Sequence, residues 1–276
     1  MEQNKMFTRI STLLILIFLA ACSTPPVPPT NAQSTDTAQN PATTPAAEAA
    51  GTLEGNHPVA GQGLCTNLYY PVRQGATWTY KSTGGPAGEY SFTDTVTSAR
   101  EDGFTLSTQI GDITRTQEWV CTAEGLAALQ LGGAPAAMLN SQNIQLNLDI
   151  SNATGVTFPI QLNPGDQWQQ TMDVQGNVTM MNQEAEATGN AQMNFSAIGN
   201  ESVTVPAGTF DALKVAVNVT LNVDATYEGI TLPVSFSGDY TYWFAPNVGW
   251  VKASGTGNVL GSSFSDTTEL QSYSIP

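Results

Sequence analysis

Leu213-Lys214-Val215-Ala216-Val217-Asn218-Val219-Thr220-Leu221-Asn222-Val223 is the stretch that decides the fold class of this chain. An aliphatic residue stands at every second position from Leu213 to Val223, and the positions between them are mostly polar. Successive side chains of a β-strand point to opposite faces of its sheet, so a period of two predicts a long strand with one buried face.

The same alternation recurs elsewhere, notably at residues 144–150 and 172–180. Turn sequences such as Asp102-Gly103 and Pro206-Ala207-Gly208 separate the alternating runs. The sequence therefore predicts an all-β fold of antiparallel strands with little helix. Two segments, 124–130 and 134–139, can each hold a short helix.

A short motif occurs twice in the alternating region. Gly75-Ala76-Thr77-Trp78 and Gly165-Asp166-Gln167-Trp168 share the pattern Gly-x-x-Trp, and each leads into strand-like sequence. Two such matches can arise by chance. A duplicated β-unit would nevertheless explain the size of the domain, so we interpret the pair as a sign of two related β-units.

The amino terminus carries an export signal. Lys5 and Arg9 precede an apolar run from Leu13 to Ala21, which is too short to span a bilayer as a helix. The run ends in Leu19-Ala20-Ala21-Cys22, which resembles the bacterial lipoprotein signal. That resemblance implies cleavage before Cys22, a diacylglyceryl group on its thiol and an acylated new amino terminus. The alternative is an ordinary signal peptide with a chance cysteine.

Two or three acyl chains would hold the mature protein firmly on a membrane without spanning it. Ser23 follows the cysteine, and resemblance to the sorting rule of two-membrane bacteria favours the outer membrane. In a bacterium with one membrane the same anchor would lie on the outer leaflet. We therefore predict a location in the cell envelope, facing the periplasm or the exterior, with the membrane as a partner through the lipid anchor.

Composition divides the chain into three parts: a signal peptide at 1–21, a tether at 22–63 and an all-β domain at 64–276. The tether is rich in Pro, Thr and Ala and lacks aromatic residues, so it cannot bury enough apolar surface to fold. His57 is the single histidine of the chain and lies in this tether. We interpret it as an exposed residue rather than a ligand or base.

Two cysteines remain in the domain once Cys22 is lipidated. Cys65 and Cys121 form an even pair in an exported protein, which predicts a disulfide. Two buried free thiols are the alternative. No Cys-x-x-Cys pair or neighbouring histidine supports a metal site, and no cofactor is expected.

Three segments of the domain, 69–80, 203–215 and 242–252, resemble a set of uncharacterised bacterial envelope lipoproteins and domains of unknown function. They contain an aromatic-Pro-x-x-x-Gly-x-x-Trp-x-Tyr strand, a Val-Pro-Ala-Gly-x-Phe turn and a Tyr-Trp-x-Ala-Pro-x-Val-Gly segment. Such domains are similar to the half-open β-barrels of lipoprotein carriers. The resemblance implies a curved antiparallel sheet, either a half-open barrel or sandwich-like, without catalytic residues. We assign the tryptophans of these and related segments to the core rather than to ligand stacking: Trp78, Trp168, Trp243 and Trp250.

The sequence contains few of the motifs that are typical of enzymes. The sequence lacks the Gly-x-Ser-x-Gly, phosphate-loop and His-Glu-x-x-His motifs, and the absence of histidine from the domain excludes Ser-His-Asp catalysis. We therefore predict that the protein is not an enzyme. An acidic-residue hydrolase is a distant alternative, because five carboxylates can meet in space: Asp94, Asp102, Glu118, Asp166 and Asp239.

The net charge of the chain limits the classes of molecule that it can bind. The chain has 23 acidic and 8 basic residues, and removal of Glu2, Lys5 and Arg9 with the signal leaves a net charge of −16. This charge disfavours nucleic acid as a partner.

Two functions remain open. One is binding of an apolar or amphipathic ligand, such as a lipid or the acyl chains of another lipoprotein. Soft or broad side chains that suit an adaptable cavity, or fill a core, favour it: Met172, Met180, Met193 and Phe195. The other function is a surface-displayed structural or interaction module that binds a protein or polysaccharide.

Overall fold

A computed structural model describes residues 63–130, 144–180 and 183–276. The predicted signal peptide, Cys22, all of the tether before Gly63 and the helix candidate at 134–139 lie outside these ranges. Within them, no helix is long and apolar enough to cross a membrane.

The described residues form thirteen antiparallel strands in one curved sheet, which confirms the predicted fold class. In chain order the strands are β1 Thr77–Gly84, β2 Tyr90–Ala99, β3 Gly103–Ile110, β4 Ile113–Cys121, β5 Gly125–Ala128, β6 Ile144–Gly155, β7 Phe158–Pro159, β8 Gln167–Met180, β9 Gln183–Val205, β10 Gly208–Tyr227, β11 Ile230–Ala245, β12 Gly249–Val259 and β13 Ser262–Ser274. Their order across the sheet is β6-β8-β9-β10-β11-β12-β13-β1-β2-β3-β4-β5-β7. A single 3-10 turn, Gly63–Cys65, precedes them in the described chain.

The helix suggested at 124–130 is wrong. Gly125–Ala128 is strand β5, and all four of its residues are buried. Leu126 pairs with Cys121 of β4 on one side and with Phe158 of β7 on the other. A short continuous apolar run is typical of a strand covered on both faces, and periodicity alone cannot distinguish such a strand from a piece of buried helix.

The two edges of the sheet approach each other at Thr157, between edge strands β6 and β7. The Thr157 amide donates to the carbonyl oxygen of Leu126 at 2.9 Å, and its hydroxyl donates to the side-chain oxygen of Gln170 on β8 at 2.8 Å. The Trp168 indole donates to the Thr157 carbonyl oxygen at 3.2 Å. These bonds link β5 to β8, which lie towards opposite ends of the strand order, so the sheet curls back on itself here.

Alternate residues of the strands fill the core on the inner face of the curl. On β10, five of the six aliphatic positions named from the sequence are buried, and Val219 is half-buried against the core. The predicted period of two is therefore the period of burial.

The two Gly-x-x-Trp segments occupy matching positions in the sheet. The backbone amide of Gly75 donates a hydrogen bond of 2.8 Å to the carbonyl oxygen of Val96. The backbone amide of Gly165 donates one of 2.7 Å to the carbonyl oxygen of Ala197. Both glycines have positive φ, 85° and 95°. A β-bulge directly follows each acceptor, at residues 97 and 198. Strands β1–β3 and β8–β10 thus repeat one pattern of turn, pairing and bulge.

Candidate functional site

The three family-like segments, 69–80, 203–215 and 242–252, meet at one end of the sheet, which we call the motif end. The second segment pairs with the third through Leu213 and Phe244. The Trp78 indole donates to the carbonyl oxygen of Val248 at 2.6 Å, and the Tyr80 hydroxyl donates to that of Trp250 at 3.0 Å. The Asn247 amide donates to Leu68 at 2.7 Å. These contacts are structural: they close the motif end with packed aromatic rings.

The motif end encloses a cavity of only about 10 Å³, which is room for one water molecule. Its lining residues are Tyr70, Pro71, Trp78, Tyr80, Asp94, Leu106, Gly249 and Trp250. Trp78 and Trp243 are buried, while Trp168 and Trp250 are half-buried and pack against the core. The tryptophans therefore pack as the core residues that the sequence predicts.

Asp94 is a buried carboxylate at this cavity. The Thr108 hydroxyl donates a hydrogen bond of 2.5 Å to Asp94 Oδ1. Burial raises the pKa of Asp94 to about 6, and the hydrogen bond from Thr108 opposes that rise. Within the described part of the chain, the cavity beside Asp94 has room for one water molecule and not for a substrate.

The other four carboxylates considered from the sequence serve local structure or lie exposed. Glu118 bonds to Thr105 at 2.7 Å and to Arg100 at 3.0 Å, and these contacts lower its pKa. Asp166 accepts from the Asn163 amide at 2.7 Å in its turn, Asp239 accepts from Asn218 at 2.9 Å, and Asp102 lies on an exposed turn. The described residues hold no group of three potential metal ligands.

The opposite end of the sheet, which we call the hairpin end, carries the turns at 85–89, 228–229 and 260–261. Asp266 lies near this end, where it pairs with Gly84, and it is not among the residues that the sequence predicts for a site. It is the acidic member of the inward-facing series of alternate residues on β13, Phe264-x-Asp266-x-Thr268-x-Leu270. An acidic residue at a core position of an alternating strand is the sequence signal that could have identified Asp266.

Strand register places five side chains around Asp266. Asp266 pairs with Gly255 of β12, and Gly255 pairs with Tyr240 of β11. In the neighbouring row, Tyr242 pairs with Ala253, Ala253 with Thr268, Thr268 with Ser82, and Ser82 with Tyr90. We call this group the tyrosine–aspartate cluster: Tyr90, Tyr240, Tyr242, Asp266, Ser82 and Thr268.

Two glycines give the Tyr240 ring its place in the cluster. A Cβ atom at Gly255 would lie 2.5 Å from Tyr240 Cδ1, and one at Gly238 would lie 2.4 Å from Tyr240 Cε2. Real Cβ contacts are longer, so the ring lies flat over the bare backbone of both neighbours. Gly255 on β12 lies between Tyr240 on β11 and Asp266 on β13, so the Tyr240 ring extends across β12 on the side of Asp266.

The cluster is electrostatically unusual. Burial raises the pKa of Asp266 to about 6. Burial also raises the pKa of Tyr242 to about 12, with a further contribution from the negative charge of Asp266. The same two causes raise the pKa of Tyr240. The charge of Asp266 thus acts on tyrosines from another strand at close range.

Asp94 and Asp266 do not form a catalytic pair. Asp94 pairs with Trp78, and Asp266 pairs with Gly84 on the other side of β1. At about 3.3 Å per residue, their positions along β1 differ by on the order of 20 Å. Carboxylate-pair hydrolases need their two groups within about 10 Å of each other.

A groove of about 340 Å³ opens beside the cluster, between the β1–β2 turn and the β12–β13 hairpin. It is lined by Gly85, Pro86, Val259, Ser262, Ser263, Phe264 and Ser265. Phe264 belongs to the same inward-facing series of β13 as Asp266, so one wall of the groove adjoins the cluster.

The methionine and phenylalanine side chains proposed to line an apolar cavity instead fill the core where they are described. Met172 is buried, and Met193 and Phe195 are half-buried against the core. Phe195 stacks on Trp168 with ring centroids 4.9 Å apart. The side chain of Met180 lies outside the described residues.

Cys65 and Cys121 lie together at the motif end, joined in a disulfide with Cα atoms 5.1 Å apart. The bond ties the segment before β1 to the end of β4 and closes a separation of 56 residues.

The fold and site together define a class of protein: one curled antiparallel sheet that is closed by aromatic packing at one end and carries a polar cluster beside a groove near the other. The chain belongs to the DUF3108-like family, whose sequence model matches residues 117–264. This match confirms the resemblance to uncharacterised domain families that the three family-like segments indicated. A comparison with curated protein sequences gives no match.

Several solved structures are similar to this chain at low identity. A proposed exported protein with a YmcC-like fold from Bacteroides fragilis has a TM-score of 0.48 and 16% identity, covering 76% of this chain and 100% of its own. A proposed lipoprotein from Parabacteroides distasonis has a TM-score of 0.43 and 17% identity, with coverage of 76% and 99%. The hypothetical lipoprotein YmcC of Escherichia coli has a TM-score of 0.33 and 10% identity, with coverage of 73% and 85%.

Proposed function

We propose that this chain is a non-catalytic lipoprotein of the cell envelope, anchored at Cys22, whose domain binds an amphipathic ligand at the hairpin end. The groove beside the tyrosine–aspartate cluster carries this proposal. Its volume of about 340 Å³ falls in the range of small-molecule sites, which typically combine apolar walls with a few polar groups.

The groove offers both halves of an amphipathic site. Val259, Phe264 and Pro86 supply apolar surface, and three serines and Gly85 line the rest. The cluster next to Phe264 supplies polar atoms in a buried setting. A molecule with an acyl or alkyl chain and a polar head matches this division, as would a lipid or an acylated partner.

Native mass spectrometry and lipid extraction of protein purified from its own envelope test the proposal. We expect a co-purifying amphipathic molecule in the wild type and its depletion in Phe264→Ala, because that variant removes the aromatic wall. Ile198→Ala is the matched control, since Ile198 is 58% exposed on a bulge distant from the groove. Absence of any co-purifying ligand, or equal loss in both variants, contradicts the proposal.

A second candidate function is an interaction module, and the β10–β11 hairpin favours it. Tyr227, Ile230 and Leu232 are exposed at its tip, by 43%, 66% and 53%. Exposed apolar side chains in a contiguous patch often mark a protein-binding surface. Replacing Tyr227, Ile230 and Leu232 together by serine should abolish crosslinking to an envelope partner and leave co-purification of the ligand intact. If crosslinking persisted and the ligand no longer co-purified, the ligand-binding function would be favoured.

A further inference from the structure

The tyrosine–aspartate cluster contains three buried oxygen atoms without hydrogen-bond partners: Asp266 Oδ1, Tyr90 Oη and Tyr240 Oη. Tyr90 lies near Ser82, but its hydroxyl falls outside hydrogen-bonding geometry. An unsatisfied buried polar atom costs about 1–3 kcal/mol. One carboxylate oxygen and two tyrosine oxygens near it are thus unpartnered, which points to a ligand that can donate several hydrogen bonds.

The charge balance indicates the sign of that partner. Asp266 is 9% exposed and takes part in none of the ion pairs found in the described parts of the chain. Lys81, Lys214 and Lys252 each pair with a glutamate instead, as does Arg100. A buried carboxylate is stable in its charged form only when a cation or several donors accompany it.

The surroundings of Asp266 also suit a cation. Tyrosine rings from β2 and β11 and the Phe264 ring on β13 lie around or beside it, and aromatic faces attract ammonium groups. A primary ammonium group has three N–H donors, which equals the number of unpartnered oxygens. The strong net negative charge of the chain would further concentrate cations at its surface.

We propose that the tyrosine–aspartate cluster binds the primary ammonium headgroup of an amine-bearing amphiphile, with Asp266, Tyr90 and Tyr240 as its acceptors. This inference rests on the proposed amphiphile-binding function and names the headgroup. The apolar tail would lie against Phe264 and Val259 in the groove.

Calorimetric titration of the whole lipidated chain in neutral detergent tests the headgroup directly, with n-butylammonium and n-butanol as probes at constant ionic strength and pH 8. We expect butylammonium to bind and butanol not to bind. Asp266→Asn should weaken butylammonium binding at least tenfold, and Tyr240→Phe should weaken it severalfold. Asp239→Asn, an exposed acid, and Asp94→Asn, the other buried acid, should leave it unchanged.

The pH dependence supplies a second readout. Because the ligand requires the charged carboxylate, affinity should fall about tenfold per pH unit below the pKa of Asp266, about 6. It should remain constant from about pH 7 to 9, where the carboxylate and the ammonium group are both charged. Equal binding of butanol, equal binding of potassium ions, or no effect of either Asp266→Asn or Tyr240→Phe overturns the amine assignment. If any of these results were found while a neutral amphiphile co-purified with the protein, the amine assignment would fail and the proposed function would stand. If butylammonium bound as expected but no amphiphile co-purified with the wild type, or Phe264→Ala did not deplete it, the proposed function alone would fail.

Discussion

The Tyr80 hydroxyl donates a hydrogen bond of 3.0 Å to the carbonyl oxygen of Trp250, and the two rings stack with their centroids 3.8 Å apart. These residues are 170 positions apart in the chain. The contact joins the first and last family-like segments and so closes the motif end of the sheet.

Tyr80→Phe should lower the free energy of unfolding by about 1–2 kcal/mol, because it removes the donor and leaves a carbonyl oxygen unpaired while keeping the stacked ring. Denaturant unfolding measures the change. Tyr273→Phe is the control, because Tyr273 is 41% exposed. Equal stability of the two variants would show that the hydrogen bond contributes nothing.

Gly75→Ala and Gly165→Ala should each destabilise the domain by about 1–2 kcal/mol, the cost of a side chain in a left-handed backbone conformation. Both positions have space for a methyl group, so the cost lies in the backbone. Thermal unfolding of both variants checks this, with Gln74→Ala as an exposed neighbour. If only one glycine were sensitive, the two repeats would not be equivalent in energy.

Loss of the Cys65–Cys121 bond should cost about 4 kcal/mol, since a closed loop of this length strongly restricts the unfolded chain. Non-reducing peptide mapping should recover the linked peptides, and reductant should shift the denaturation midpoint. The Cys65→Ala/Cys121→Ala variant should not respond to reductant. Two alkylatable thiols in native protein from the envelope would disprove the bond.

Stability should fall as pH rises from about 4 to 6. The pKa of Asp94 is about 6 in the folded chain against an ordinary 3.8, so the folded state binds its proton more tightly than the unfolded state. Above pH 6, a charged Asp94 therefore opposes folding by up to about 3 kcal/mol. Asp94→Asn should remove this penalty at pH 8 and have no effect below pH 4, because the amide oxygen of the new side chain can still accept from Thr108.

Chemical denaturation across this pH range measures the effect. Asp239→Asn serves as the control and should follow the wild-type curve, since Asp239 is exposed. A wild-type stability that rises between pH 4 and 6, with Asp94→Asn no more stable than the wild type at pH 8, would contradict the expected sign.

Mature protein should begin at a lipidated Cys22. Mass spectrometry of the amino-terminal peptide should show the diacylglyceryl group, and Cys22→Ala should release the protein from the membrane fraction. Ser23→Ala should remain lipidated, because the thiol of Cys22 is the attachment point. An uncleaved or unmodified Cys22 would disprove the anchor.

Local sequence determined much of this protein. The alternation from Leu213 to Val223 determined a strand and its buried face, because side-chain direction in a strand depends only on position parity. The repeated Gly-x-x-Trp pattern likewise identified two matching turns, since each glycine meets a local backbone requirement. Cys65 and Cys121 were paired by count, because only two cysteines remain in the domain.

Tertiary structure alone decided the candidate site. Tyr90, Tyr240 and Asp266 lie on β2, β11 and β13, and no spacing in the sequence links them. They meet because strand register aligns their rows, and because Gly255 leaves room for the Tyr240 ring. The buried strand β5 escaped prediction for a related reason: its pairing with β4 and β7 and the burial of all four of its residues depend on tertiary contacts that the local sequence does not encode.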